Sequence, residues 1–168
     1  MDELIYGGFL KVVKRKINNI EREIVVQGEA AAIAVINEDN TKLLLVKQYR
    51  ASVCANVWEI PAGMLDIPGE SLETCVVREL EEEAHIKVRE KDISFEIKYV
   101  PNIGTSTHQV TIFKTVVDET AETGVIEDDN DVVESRWFGV CELRQMIRMG
   151  KIIDGKTLLI FFKIFGDE

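Results

Sequence analysis

Three glutamates, Glu79, Glu82 and Glu83, stand at spacings that suit a metal site. In a helix, side chains three and four positions apart share one face, so these carboxylates would point the same way. Glu70 lies shortly before them and can add a fourth carboxylate. Oxygen ligands of this kind suit Mg²⁺ or Mn²⁺, which also bind substrate phosphates. The residues therefore predict a metal site for phosphate chemistry or, as the alternative, a solvated acidic surface.

The glutamates need a helix to carry them, and the sequence predicts one over residues 71–84. Ser71 is a suitable N-cap. Apolar residues recur at helical spacing at Leu72, Cys75, Val76 and Leu80. Upstream, a short strand over residues 58–60 leads into Pro61-Ala62-Gly63. This order brings the backbone of Pro61-Ala62-Gly63 close to the start of an acidic helix, which favours the metal site over the solvated surface.

The rest of the chain predicts strands followed by two terminal helices. A basic turn at residues 14–16 is expected between the first two strands, and a turn at residues 37–40 between the next two, which would form a hairpin. The predicted strands cover residues 4–13, 22–27, 30–36, 42–49, 93–99, 110–117 and 135–138, and the predicted helices cover residues 141–149 and 155–165. This mixture predicts an α/β layered domain.

Composition limits the classes of function. The chain has 168 residues, a formal net charge of -10 and 46% hydrophobic residues, which is typical of one globular domain. The negative charge argues against a nucleic-acid partner, because such proteins neutralise phosphates with lysine and arginine. No apolar run is long enough to span a bilayer. The acidic start and the three cysteines predict a cytoplasmic protein with reduced thiols and no membrane association.

Residues 63–86 resemble the Nudix box, whose pattern is G-x5-E-x7-R-E-U-x-E-E-x-G-U, where U is a bulky aliphatic residue. The residues at its defined positions are Gly63, Glu70, Arg78, Glu79, Leu80, Glu82, Glu83 and Ile86. Six residues, not five, separate Gly63 from Glu70, and the extra residue falls in a Pro68-Gly69 turn where an insertion costs little. His85 replaces the last glycine. Since histidine is enriched in the left-handed conformation, we expect His85 to end the helix, with substrate contact as the alternative.

The resemblance implies a role for each residue of the motif. In the family, the first and last glutamates of the helix carry metal, here Glu79 and Glu83, and Glu82 contributes in many members. The carbonyl oxygen of Ala62 often completes the metal site. We also count Glu82 among the catalytic candidates. The residues expected to support this site are Gly63, Glu70 and Arg78, the last through ion pairs to the carboxylates.

The chain also resembles the ADP-ribose and nucleoside diphosphate sugar pyrophosphatase branch of the family. The resemblance rests on Val46-Lys47-Gln48-Tyr49-Arg50, on Trp58-Glu59-Ile60-Pro61-Ala62-Gly63, and on Pro101, which stands 16 residues beyond His85. It implies a Nudix α/β/α sandwich with a mixed sheet. The implied reaction is hydrolysis of the diphosphate bond of ADP-ribose or a related nucleoside diphosphate sugar. The implied cofactor is Mg²⁺ or Mn²⁺, and the products are a nucleoside monophosphate and a sugar phosphate.

Further site residues follow from the same resemblance. Arg50 and Glu59 are expected to bind the phosphate and base portions of the nucleotide. In related enzymes the general base is a glutamate on a loop after the box. The matching segment offers Glu127 first, then Asp129 and Asp131. The alternative for that segment is a solvated surface loop.

Residues 1–28 are expected to form an N-terminal β segment, followed by a Nudix domain over residues 29–168. Members of this branch commonly form homodimers in which such a segment crosses to the partner, and Tyr6 or Phe9 could then stack on a base. The alternative is a hairpin packed on its own domain.

Three rival functions stay open. Another Nudix substrate, such as GDP-mannose, is the first. The second is a catalytically silent nucleotide-binding regulatory module on the same scaffold, and the third is a structural or interaction protein. The intact Glu79, Glu82 and Glu83 argue against the silent module, and a structural protein predicts that Glu83→Gln changes no measurable property.

Overall fold

The computed structural model describes residues 2–8, 10–119 and 132–166. Within them lie a three-stranded sheet, a seven-stranded sheet, three α-helices and a 3-10 helix at Glu90–Asp92. The strands are β1 Asp2–Gly7, β2 Lys11–Ile17, β3 Ile20–Val26, β4 Glu29–Asn37, β5 Lys42–Arg50, β6 Ala55–Glu59, β7 Ala62–Met64, β8 Ser94–Tyr99, β9 Gln109–Val117 and β10 Val132–Gly139. The helices are α1 Leu72–Ala84, α2 Val140–Arg148 and α3 Gly155–Phe165. None of these helices is long and apolar enough to cross a membrane.

The seven-stranded sheet is mixed, as the sequence predicts. Its strands follow the order β10-β5-β4-β9-β8, while β6 pairs with β5 and β7 pairs with β4. β4 and β9 run parallel along their whole length, and the other pairings are antiparallel. β4 and β5 pair where Ile36 faces Leu43 and diverge beyond that point. Their free edges pair with β7 and β6, and the candidate site lies at this opening.

Helices cover both faces of the sheet, because the alternating residues of β4 contribute to two cores. Ala32 and Ile36 face a core that includes Phe161 of α3. Ile33 faces a second core that includes Leu80 of α1. All five side chains are almost fully buried. The predicted α/β/α sandwich is confirmed.

The first three strands form a separate antiparallel sheet, and here two sequence predictions are wrong. The strand predicted over residues 4–13 is broken between β1 and β2, and the basic residues 14–16 lie inside β2 and not in a turn. They are accommodated there because an acidic side chain lies opposite: Arg15 pairs with Asp2 at 2.7 Å. The turn follows at Asn18, which adopts a left-handed φ of 56°.

Residues 105–107 connect this small sheet to the rest of the molecule. Val25 of β3 donates its N–H to the carbonyl oxygen of Thr105 at 2.8 Å and accepts a hydrogen bond from the Thr107 N–H at 3.0 Å. The Gln27 N–H donates to the Thr107 hydroxyl oxygen at 3.0 Å. These hydrogen bonds fix the path of the chain from β3 into β4.

The other predicted boundaries differ from the structure by a few residues. The strand predicted over residues 58–60 is β6, which begins earlier, and the strand predicted over residues 135–138 is the longer β10. Both terminal helices lie close to their predicted positions, and α3 covers the predicted range. These shifts leave the order of the elements unchanged.

Candidate metal and substrate site

Helix α1 presents the acidic side chains, and local contacts define both of its ends. Ser71 accepts a hydrogen bond from the Thr74 N–H at 3.0 Å, so its predicted N-cap role is confirmed. His85 adopts the left-handed conformation at φ 56° and ψ 22°, and its N–H donates to the Glu81 carbonyl oxygen. His85 therefore ends the helix as predicted, where glycine is the usual residue.

Glu79, Glu82 and Glu83 line one cleft of about 380 Å³. Glu83 is 6% exposed, whereas the side chains of Glu79 and Glu82 are 14% and 47% exposed. The other residues that line the cleft are Gln48, Arg50, Ala62, Gly63, Met64, Asp66 and Val132. The three carboxylates thus share one helix face and one cleft, with Glu83 deepest and Glu82 closest to solvent.

Arg78 lies at the centre of the acidic cluster. Its guanidinium group contacts Glu70 at 3.0 Å, Glu79 at 2.8 Å and Glu82 at 3.0 Å. These charge-assisted hydrogen bonds hold together carboxylates that would otherwise repel one another. The pairing lowers the pKa of the Glu70 carboxyl group and raises the pKa of Arg78. Glu70 therefore reaches the cluster even with the extra residue in the preceding loop.

Glu83 is the buried member of the cluster, and it accepts a hydrogen bond from the Ala62 N–H at 2.9 Å. Burial raises the pKa of Glu83 to about 8; the Ala62 N–H partly offsets the rise, and the negative charge of Glu79 adds to it. An ionised carboxylate in such surroundings is stabilised when a cation comes close. Because Ala62 pairs with Ala32 of β4, the sheet and α1 together fix the position of Glu83.

Glu79 packs directly against the backbone of Gly63. A Cβ atom on Gly63 would stand 1.9 Å from the Glu79 carboxyl carbon, so a side chain here would displace the carboxylate. Burial raises the pKa of Glu79, while the charge of Arg78 acts in the opposite direction. The glycine of the motif therefore has a steric role, since it lets the carboxylate lie against β7.

The cluster has the chemistry that a divalent-cation site needs. Within the described ranges, no three acidic, histidine or cysteine side chains already form a metal-holding group. Glu79 and Glu82 turn toward Arg78, and Glu83 turns toward the Ala62 N–H. Even so, the carboxylates share one cleft, two of them are mostly buried, and carboxylate oxygens are the ligands that Mg²⁺ and Mn²⁺ prefer. Glu79, Glu82 and Glu83 therefore stay the predicted metal ligands.

Arg50 lines the cleft from β5 and is held by a two-pronged ion pair. Its Nε and Nη2 atoms each lie 2.7 Å from an oxygen of Glu59. Glu59 is 2% exposed, and it also accepts a hydrogen bond from the buried Lys156 ammonium group. Both carboxylate oxygens of Glu59 are therefore engaged by the protein, while Arg50 reaches the cleft. Contact between Glu59 and the base of a nucleotide stays a prediction.

The remaining predicted site residues lie elsewhere. The predicted general bases Glu127, Asp129 and Asp131 and the predicted stacking residue Phe9 lie outside the described residues. Tyr6 is 60% exposed on β1 and is not among the residues that line the cleft. Its stacking role depends on the predicted dimer.

Four cleft residues were not expected from the motif: Gln48, Met64, Asp66 and Val132. For Gln48 a signal was present, because it lies two positions before Arg50 on a strand and so shares its face. Asp66 lies in the loop after β7, where no spacing marks it. Lys156 was also missed, since nothing near it in the sequence points to Glu59.

The family model for the NUDIX domain matches residues 27–158 of this chain. The chain belongs to the Nudix family. Every residue that lines the described cleft falls within the matched range, and the resemblance seen in residues 63–86 is confirmed. In this Nudix chain, His85 takes the left-handed conformation that the missing glycine would adopt.

Three relatives show which part of the family is similar. The chain is 27% identical over 136 residues to the ADP-ribose pyrophosphatase of Mycobacterium tuberculosis, and this match covers 80% of this chain and 64% of that enzyme. It is 31% identical over 158 residues to the GDP-mannose pyrophosphatase of Salmonella arizonae, and this match covers 89% of this chain and 78% of that enzyme. It is 29% identical over 166 residues to the methanol dehydrogenase activator of Bacillus methanolicus, and this match covers 94% of this chain and 86% of that protein. The first two similarities confirm the predicted branch of the Nudix family.

Proposed function

We propose that this Nudix chain hydrolyses the diphosphate bond of ADP-ribose or a related nucleoside diphosphate sugar, giving a nucleoside monophosphate and a sugar phosphate. The observation that carries the proposal is the pair of mostly buried carboxylates, Glu79 and Glu83, held in one cleft by Gly63 and Ala62. A cleft this acidic admits a diphosphate only with divalent cations between the two. The family and the named pyrophosphatases support the same reaction.

We assign Mg²⁺ or Mn²⁺ to Glu79, Glu82 and Glu83, with the Ala62 carbonyl oxygen as a further ligand. Such a cation, when bound, neutralises the diphosphate and lowers the pKa of water beside it. The protein holds the ligands in place, since Arg78 keeps the carboxylates together and Gly63 leaves room for Glu79. Removal of divalent ions with a chelator should abolish turnover, and added Mg²⁺ or Mn²⁺ should restore it.

Arg50 is the basic residue among those that line the described cleft. A guanidinium group pairs well with phosphate oxygens, so we assign the diphosphate contact to Arg50. For the proton of the attacking water we keep Glu127 as the first candidate base, with Asp129 and Asp131 behind it. Glu82 is the candidate on α1, because its side chain is 47% exposed and open to water.

The substrate is tested by initial rates with Mg²⁺ on ADP-ribose, GDP-mannose and other nucleoside diphosphate sugars. We expect ADP-ribose near the top of the ranking. A low rank for ADP-ribose with rapid hydrolysis of GDP-mannose would overturn the substrate assignment alone, and the 31% identical GDP-mannose pyrophosphatase makes this the main rival. Absence of hydrolysis across the panel would overturn the proposed reaction.

A regulatory role is the second candidate, favoured by the similarity to a methanol dehydrogenase activator over 94% of this chain. In this role the chain would bind a nucleotide without turning it over. Calorimetry separates the two candidates: nucleotide binding without heat or products of hydrolysis would support regulation, and steady product formation would exclude a silent module.

We also propose a homodimer formed through the N-terminal β segment. All of β1 is exposed, including Leu4 at 63% and Tyr6 at 60%, and Ile17 and Ile20 at the β2–β3 turn are also more than half exposed. A small sheet with so much exposed apolar surface gains stability when a second surface covers it. Light scattering should give about twice the chain mass of 19.0 kDa. Leu4→Glu should reduce the mass toward one chain, whereas Ile103→Glu, at an 88% exposed loop position, should not.

The compartment we propose is the cytoplasm. The three cysteines are free thiols, which suits a reducing environment.

A further inference from the structure

Lys156 is a buried cation for which the proposed reaction gives no direct use. It is 9% exposed and lies in the first turn of α3, directly after Gly155. The N-terminal end of a helix disfavours positive charge, and a buried ammonium group needs an anionic partner. Its Nζ atom donates to Glu59 and lies 3.1 Å from an Asp154 carboxylate oxygen. The carboxylates of Glu59 and Asp154, and not the helix dipole, account for a lysine at this position.

Glu59 connects Lys156 to the cleft. One of its oxygens accepts hydrogen bonds from both Lys156 and Arg50, and the other accepts from Arg50 alone. The two parallel bonds to Arg50 fix the plane of the guanidinium group as well as its position. These bonds use the Nε and Nη2 atoms of Arg50, which lines the substrate cleft.

The rigidity of this chain of contacts comes from the Lys156 end. The Lys156 side chain is 10% exposed and that of Glu59 is 3% exposed, whereas the Arg50 side chain is 40% exposed. Arg50 lies at the exposed end of the contact, where an ion pair is weak, so it cannot by itself hold the Glu59 carboxylate still. The buried ammonium group can, because its own helix is capped by Asp154, which accepts from the Thr157 N–H at 2.9 Å.

Arg50 also separates two clefts. It lines the cleft that contains the acidic cluster, and it lines a second cleft of about 430 Å³ together with Glu59, Asp154 and Lys156. A shift of Arg50 toward the second cleft would therefore change the shape and charge of the substrate cleft. Lys156 itself does not line that cleft.

We propose that Lys156 is a positioning residue for substrate binding, which orients Arg50 in the catalytic cleft by holding Glu59. The kinetic part of this inference rests on the proposed pyrophosphohydrolase function. The structural part, immobilisation of the Arg50 guanidinium group, needs no substrate and is tested separately.

The experiment compares four chains: wild type, Lys156→Met, Lys156→Arg and Lys163→Met. Lys163 is the matched control, because it lies on the same helix, its side chain is 40% exposed and it pairs with Glu96 at 3.5 Å. NMR relaxation of the Arg50 Nε–H group, assigned by its loss in Arg50→Ala, reports guanidinium mobility. Steady-state kinetics on ADP-ribose then separates KM from kcat.

In Lys156→Met we expect a mobile Arg50 side chain, a KM raised about tenfold and a kcat within about twofold, because ground-state binding is what is lost. Lys156→Arg should have a KM close to that of wild type, because it keeps the positive charge. Lys163→Met should have the KM and kcat of wild type. In an Arg50→Ala background, Lys156→Met should add less than about twofold, since both changes remove the same contact.

An equally immobile Arg50 in Lys156→Met would overturn the inference, as would a full KM effect in the Arg50→Ala background. If Lys156→Met does not fold, Lys156→Gln replaces it. Failure of both neutral variants to fold would show a purely structural role and would also overturn the inference. If wild type hydrolyses no nucleotide sugar, the proposed function fails, and the NMR comparison still decides whether Lys156 positions Arg50.

Discussion

Substitution of Gly63 by alanine should separate the activity of this protein from its stability. The added Cβ atom would lie 1.9 Å from the carboxyl carbon and from Oε1 of Glu79, and 2.5 Å from its Cγ. An ordinary contact needs about 3.5–4.0 Å, so the carboxylate must move by about 1.5–2 Å. The clash is with the far end of a flexible side chain and not with the backbone. Glu79 can therefore rotate away, and the fold is retained.

The two expected magnitudes differ widely. Relief of the overlap should cost about 1 kcal/mol of unfolding free energy, at the low end of the range for overpacked sites. A displacement of 1 Å or more at a catalytic ligand costs about 100-fold in rate. We therefore expect Gly63→Ala to lose at least about 100-fold in kcat and to need more Mg²⁺ or Mn²⁺ for half-maximal activity.

The assay measures kcat against metal concentration together with urea unfolding. Gly139→Ala is the matched control, because a Cβ atom there would meet nothing within 4 Å. The control should retain wild-type activity and metal dependence. If Gly63→Ala kept activity within a few-fold of wild type, then the position of Glu79 against β7 would have no catalytic role, and the reasoning would be refuted.

Arg78→Ala should raise the Mg²⁺ concentration needed for half-maximal activity and reduce kcat by about 10- to 100-fold, because the carboxylates lose their common partner. Metal titration of activity measures both effects. The metal-free protein should lose unfolding free energy as pH rises from about 4.5 to about 8. The raised pKa of Glu83 means that the folded state keeps a proton which the unfolded chain has released. Urea unfolding at several pH values checks this, with Glu83→Gln expected to flatten the trend. A thiol reagent at pH 8 should modify the exposed Cys54 and Cys141 quickly. Cys75 should react only on unfolding, because burial raises its pKa to about 12. Mass spectrometry of the native and urea-treated protein counts the modified thiols.

The features that the sequence predicts well are those with short-range causes. The start of α1 at Ser71, its end at His85 and the shared face of its glutamates all depend on residues within a few positions. β4 was also predictable, because an apolar run such as residues 30–36 is typical of a strand buried on both faces. Local spacing therefore determines the acidic cluster.

The features that it predicts poorly depend on contacts between distant residues. Lys14, Arg15 and Lys16 suggested a turn, yet they lie in β2, where Arg15 meets an acid 13 positions away. Glu59 and Lys156 are 97 positions apart, so no local pattern could connect them. The sheet brings them together, and only then does Glu59 become a buried partner of a cleft arginine.

The central claim is that α1 presents a metal-binding cluster for diphosphate hydrolysis, and Glu83→Gln tests it most directly. Glu83 is 6% exposed, so the neutral amide fits the same space. Glu81→Gln is the control, because that side chain lies on the same helix, is 49% exposed and pairs with Lys87. The measurement is kcat on ADP-ribose with saturating Mg²⁺, alongside circular dichroism. We expect Glu83→Gln to lose at least about 100-fold in kcat with the fold intact, and Glu81→Gln to match wild type. Equal activity of the two variants would contradict the account.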